Sequence, residues 1–118
     1  MRARDPPDDG SHRRDFIHPE DVARAFAASV NRLATLAAGT VETFNFSTGE
    51  APSMVELADS VIALSGRGRR VLGPRSEQSF SLYTRIDRAR ELLGWQPQVR
   101  VADIITRLLK HKQKASAA

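Results

Sequence analysis

The stretch Arg14-Asp15-Phe16-Ile17-His18-Pro19-Glu20-Asp21-Val22-Ala23 constrains this chain more than any other. Proline fixes its own φ and has no N–H, so Pro19 suits the first position of a helix, where that N–H would have no partner. Glu20 and Asp21 then place negative charge at the positive end of the helix dipole. The short apolar run ahead of the proline reads as a strand over 13–18. Strand, turn and helix start are therefore all encoded here. Arg14 is the residue in the stretch with binding chemistry, and the rest of the chain reads as a scaffold holding an anionic ligand against it.

From Pro19 onward, Val22, Phe26, Val30, Leu33 and Ala37 recur at the helical period and define the expected buried face. Gly39 is the expected stop. Val41 to Ser47 alternates and is rich in β-branched and aromatic residues, which predicts a strand. A turn by composition follows over Thr48-Gly49-Glu50-Ala51-Pro52. Ser53-Met54-Val55-Glu56 is a capping box, opening a helix that carries Leu57, Val61 and Ile62 and ends before Gly66. Beyond the basic link Gly66-Arg67-Gly68-Arg69-Arg70, Val71 and Leu72 are expected to form a brief strand.

Thr84-Arg85-Ile86-Asp87 is a second candidate capping box. The short helix after it buries Ile86, Ala89, Leu92 and Leu93 and stops at Gly94, with Trp95 covering its end. A last helix begins near Val101 and presents Ile104, Ile105, Leu108 and Leu109, fraying from Lys110 into a basic tail over 113–118. Residues 1–12, rich in Pro, Asp and Arg, read as a flexible segment. The fold class is α/β, mainly helical with a few short strands, over a unit spanning 13–112.

Bulk properties exclude more than they assign. A chain of 118 residues holds one small core. With no cysteine, disulfides and thiolate chemistry are ruled out. His12, His18 and His111 are scattered, so no metal site is expected. No apolar run approaches the roughly 18 residues of a membrane span, and the first residues lack a signal-peptide core. A cytoplasmic location is the expectation, with no membrane partner. The net charge of +4 comes from 18 basic and 14 acidic residues interspersed, which reads as a solvated mixed surface. Arg67, Arg69, Arg70 and the lysine-rich tail make a small basic nucleic-acid-binding or interaction module the competing reading. Against it, no aromatic residue interleaves with the basic cluster as a stacking platform would.

Four segments occur in an order that resembles one family: Asp9-Gly10-Ser11-His12-Arg13-Arg14-Asp15-Phe16-Ile17-His18, Phe44-Asn45-Phe46-Ser47-Thr48-Gly49-Glu50, Arg75-Ser76-Glu77-Gln78, and Arg88-Ala89-Arg90-Glu91-Leu92-Leu93-Gly94-Trp95. The chain resembles the C-terminal, substrate-binding portion of the extended short-chain dehydrogenase/reductases, the NAD-dependent nucleotide-sugar epimerases and dehydratases. The resemblance implies a nucleotide-sugar partner, with Arg14 and Arg75 on its diphosphate. Guanidinium groups suit phosphate through charge-assisted, often bidentate hydrogen bonds. The alternative for Arg14 is an ordinary ion pair with Asp15 or Asp21. Gln78 stands where relatives carry an acid that bonds a ribose hydroxyl, so it is the sugar-side candidate. Ser47 replaces a glycine of the family's turn, and Arg85 replaces an aspartate, leaving Thr84 as the expected cap.

The family's chemistry lies upstream of these segments. No G-x-x-G-x-x-G turn follows a strand, and Tyr83 has Asp87 four residues on, so no Tyr-x-x-x-Lys pair exists in this chain. No catalytic residue is therefore assigned. NAD or NADP is implied for the full-length family, with none bound by this chain alone. The chain is expected to be a truncated or split portion of a Rossmann-like enzyme, inactive alone, that joins a complementary N-terminal half or dimerises. Its Val41–Ser47 strand would otherwise lack sheet neighbours.

Overall fold

The computed structural model describes residues 9–117. Most of the segment read as flexible, residues 1–8, lies outside them. Helix α1 runs from Pro19 to Leu33 with Pro19 in its first turn, and His18 caps it by accepting the Glu20 N–H at Nδ1. It stops short of Gly39. Thr35 N–H bonds the Arg32 carbonyl at 2.9 Å and its hydroxyl bonds the same oxygen at 2.7 Å, which tightens the last turn and diverts the chain. Helix α2, Met54–Ser65, opens on the expected box: Glu56 N–H donates to Ser53 Oγ at 3.1 Å, and Ser53 N–H to Glu56 Oε2 at 2.8 Å.

Two short strands pair in parallel, β1 (Arg13–Arg14) and β2 (Ser81–Leu82), with Arg13 opposite Ser81 and Arg14 opposite Leu82. The strand expected over 13–18 thus shrinks to two residues, and β2 was not anticipated. Val71–Leu72 forms no strand. Nor does Val41–Ser47, which joins no ladder among the described residues. A ladder needs a neighbour's N–H and C=O groups, and among the described residues none pairs with it.

Helix α3 spans Asp87–Leu93, and α4 spans Val101–Ala117. The second capping box does not form. Ile86 is the N-cap of α3 with no side-chain bond; the Thr84 carbonyl accepts from Ser47 Oγ, and Arg85 pairs with Asp87 instead. The basic tail continues as helix to Ala117, with Lys114 in its last turn where the dipole favours a cation.

The core is small. Ala25, Ile86, Ala89 and Trp95 are buried together, with Ile17, Ala28, Phe44, Phe46 and Leu93 packed around them. Trp95 meets Phe46 edge-on at 5.0 Å and donates its indole N–H to the Asp21 carbonyl at 3.0 Å. Asp21 is fully buried: its carboxylate accepts the Gln98 and Val99 N–H groups at 3.0 Å each and pairs with Arg24. The α1 face that packs is therefore the Asp21, Ala25, Ala28 stripe. The more apolar stripe expected to be buried is open instead, with Phe26 70%, Val30 64% and Leu33 65% exposed. A radius of gyration of 18.3 Å, against about 13–14 Å for a closed domain of this length, fits such an open assembly. Among the described residues, no helix is long and apolar enough to cross a membrane.

Candidate functional site

The segment 9–15 is the seam of the molecule. On one side, Met54 N–H bonds the His12 carbonyl at 3.0 Å, Val55 N–H the Gly10 carbonyl at 3.1 Å, and Arg14 N–H the Pro52 carbonyl at 3.3 Å. Gly10 has φ +67, and a Cβ there would lie 2.6 Å from Val55 Cγ2, so only glycine fits this approach. On the other side, Arg13 N–H bonds the Phe80 carbonyl at 3.0 Å and Asp15 N–H the Leu82 carbonyl at 3.2 Å.

Asp9 hooks the loop that begins at Arg75. Its Oδ1 accepts the Ser11 hydroxyl at 2.7 Å and the Ser11 N–H at 3.1 Å, while Oδ2 accepts the Ser76 N–H at 2.8 Å. These bonds, the Ser11 hydroxyl foremost, stabilise the carboxylate and lower its pKa from 3.8 to about 2. The loop is further tied by Phe80 N–H to His12 Nδ1 at 3.3 Å. The described part of the N-terminal segment is thus built into the fold.

Successive side chains of a strand point to opposite faces, and the two arginines of β1 have separate fates. Arg13 is structural. Its guanidinium grips Glu56 at 3.0 and 3.2 Å and the Ala51 carbonyl at 2.9 Å. Arg14 lies over the Phe80 ring, its Cζ 5.0 Å from the centroid. Neither suggested acidic partner serves it. Asp15 accepts the Thr48 N–H at 2.8 Å, the Thr48 hydroxyl at 2.7 Å and the Gly49 N–H at 3.0 Å. Asp21 is occupied in the core, as described. Among the described residues Arg14 has no ion pair.

Arg75 is exposed, also without an ion pair among the described residues, and directly precedes the hooked Ser76. Gln78 is exposed, and its backbone carbonyl accepts from Ser76 Oγ at 3.1 Å. The fold therefore sets the segment 9–14 beside the loop 75–82, with Ser76 bonded at Asp9 and Leu82 opposite Arg14, so that Arg75 lies at the Asp9 end of the pairing and Arg14 at the other. Two broad apolar hollows lie elsewhere among the described residues, a groove of about 510 Å³ along Phe26, Val30, Leu33, Val41 and Phe44, and a cleft of about 320 Å³ between α2 and α4. Ser47, in the place of the family's glycine, is buried and ties its turn to the Thr84 carbonyl at 3.0 Å.

Sequence reasoning passed over Asp9, Arg13, Asp15 and Phe80. The run Asp9-Gly10-Ser11 carries a legible signal, since aspartate bonding the backbone two residues on is ordinary turn chemistry. Phe80 has none, isolated as it is among serines. The basic cluster after α2 is partly neutralised, because Arg70 pairs with Asp59 at 2.7 Å.

No family model matches the chain. It is 35% identical over 99 residues to the UDP-glucose 4-epimerase of Rhizobium leguminosarum bv. trifolii, a match covering 82% of this chain and 30% of that protein. Identity to the UDP-glucose 4-epimerase of Caenorhabditis elegans is 30% over 108 residues, covering 90% and 31%. Among solved structures, it superposes on MoeE5 in complex with UDP-glucuronic acid and NAD with a TM-score of 0.75 at 22% identity, covering 93% of this chain and 36% of that one. On the UDP-glucose 4-epimerase of Bifidobacterium longum, in complex with NAD+ and UDP, the TM-score is 0.72 at 23% identity, covering 87% and 30%. The chain spans about 30% of the length of these curated relatives and matches their C-terminal part.

Proposed function

Because the chain belongs, as a C-terminal portion, to the extended short-chain dehydrogenase/reductase family of NAD-dependent nucleotide-sugar epimerases and dehydratases, we propose that it forms the nucleotide-sugar-binding wall of such an enzyme. The observation that carries this reading is Arg14. Its guanidinium lies over the Phe80 ring, Cζ 5.0 Å from the centroid, while the Asp15 and Asp21 carboxylates are engaged elsewhere. An uncompensated, positioned guanidinium attracts a pyrophosphate, and its planar fork can bond two oxygens at once. Arg75 adds a second cation from the loop that Asp9 hooks alongside. Gln78 offers a neutral donor and acceptor to a sugar or ribose hydroxyl.

The chemistry itself belongs to another part of the enzyme. The family's nicotinamide cofactor supplies hydride transfer, and the residues of this chain do not fit that group. Its glycine-rich link begins at Gly66, the C-cap of α2, where a helix presents carbonyl oxygens and the negative end of its dipole. A pyrophosphate needs the opposite end. The open stripe of α1 and the unpaired 41–47 segment are the surfaces on which a complementary dinucleotide-binding half would sit. Alone, the chain binds substrate weakly and turns nothing over.

Titration with UDP, UDP-sugars, GDP-mannose and dTDP-glucose, followed by amide chemical shifts, tests this reading with the chain alone and with a complementary N-terminal half. Binding of at least one of them is expected, and Arg14→Ala should weaken it by about 10- to 100-fold, the weight of hydrogen bonds to a charged group. No binding by any of them in either setting would overturn it.

A further inference from the structure

An exposed arginine explores many rotamers, and something must fix Arg14 if it is to meet a diphosphate in one pose. Resting on the diphosphate reading, we propose that Phe80 is a positioning residue: its ring is the platform that sets the plane of the Arg14 guanidinium, and His12 locks the ring. Four observations converge on this. Arg14 Cζ lies 5.0 Å from the Phe80 centroid. The His12 and Phe80 rings are 4.5 Å apart, inclined at 45°. The Phe80 backbone is fastened at both ends, its N–H to His12 Nδ1 at 3.3 Å and its carbonyl by Arg13 N–H at 3.0 Å. Yet the residue keeps 42% of its surface exposed, so it fills no core.

The chemistry follows from the geometry. Stacking uses the face of the guanidinium and leaves its in-plane N–H groups at the edge, free for bidentate bonds to phosphate. An aliphatic side chain of similar bulk would offer surface without the negative ring face. The platform travels with β2, so it is aligned with Arg14 by the same register that pairs Arg14 with Leu82.

The test compares Phe80→Leu, Phe80→Trp and Arg14→Ala in the full chain, using UDP and uridine as probes. First, the Arg14 Nε–H and Cδ protons should show upfield ring-current shifts in the unliganded protein, lost in F80L and kept in F80W. Second, UDP should bind F80L about three- to fivefold more weakly, the scale of one exposed cation–π contact, and F80W nearly as well as the parent. Uridine, lacking the diphosphate, should not distinguish the three. Absent ring-current shifts, or F80L binding UDP as tightly as the parent while R14A loses it, would overturn the platform and leave the diphosphate reading standing. If R14A binds UDP like the parent, or the parent binds none of UDP, UDP-sugars, GDP-mannose and dTDP-glucose either alone or with a complementary N-terminal half, the diphosphate reading fails and the positioning role fails with it.

Discussion

One side of α1 carries Asp21, Ala25 and Ala28 against α3 and Trp95, while the other carries Phe26, Val30 and Leu33 into the open. Both stripes have the same helical spacing, so periodicity does not separate them. The closed stripe is held by a buried carboxylate with two backbone donors and by an indole bond, all supplied within this chain. The open stripe is the more apolar of the two and has the larger side chains. Monomers rarely leave contiguous apolar patches of several large side chains uncovered. The contrast teaches that the closed side encodes the stability of this portion, while the open side contributes little to it and is the face left for the attachment proposed above.

The sharpest way to break that contrast is Trp95→Ala, which should remove about 3–5 kcal/mol and abolish a cooperative urea transition followed by far-UV circular dichroism. Asp21→Asn comes next, at about 1.5–3 kcal/mol, read as a shift of the same urea midpoint. Ser53→Ala should lower it by about 1 kcal/mol through loss of the α2 cap. On the open side, Phe26→Ser and Leu33→Ser should change stability by no more than about 0.5 kcal/mol. They should nonetheless reduce self-association or capture of a complementary half in sedimentation velocity. A Phe26 variant as damaging as Trp95→Ala would show that the two faces are not different in kind.

A finer test concerns the seam rather than the helix. Hydrogen bonds depress the Asp9 carboxyl from 3.8 to about 2, so the stability it contributes is present above pH 3.8 and is lost as pH falls toward 2. The Ser76 amide resonance should move in that window while signals from the Trp95 core do so only on global unfolding. Movement centred at the ordinary aspartate value would mean that the hook is not made in solution.

Much of this was readable beforehand, for local reasons. The Ser53 box and the start of α1 at Pro19 depend on neighbours a few residues away, and both form as read. The strand expected at Val41–Ser47 has suitable residues but no partner among those described, since pairing is decided by what lies alongside. The inward face of α1 was misjudged because apolarity marks a surface that seeks cover, and here the stripe bearing Asp21 found its partners first. At the site, Arg14 is singled out by its motif, and the fold sets it over Phe80 without an ion pair among the described residues. The turn at Asp9 was legible too, but its hold on Ser76 and the placement of Phe80 were not, because they arise from contacts across about 67 residues of chain.

That separation has a further consequence. The register of Arg13 with Ser81 and Arg14 with Leu82 joins the beginning of the described chain to a point beyond α2. Contacts so distant along a polypeptide close late, after the loop between them has been ordered. On the proposed reading, anion recognition is a property of the completed fold: an emerging chain that has not yet released residue 82 has no receptor to offer, and ligand capture would serve as a stopwatch for topological completion.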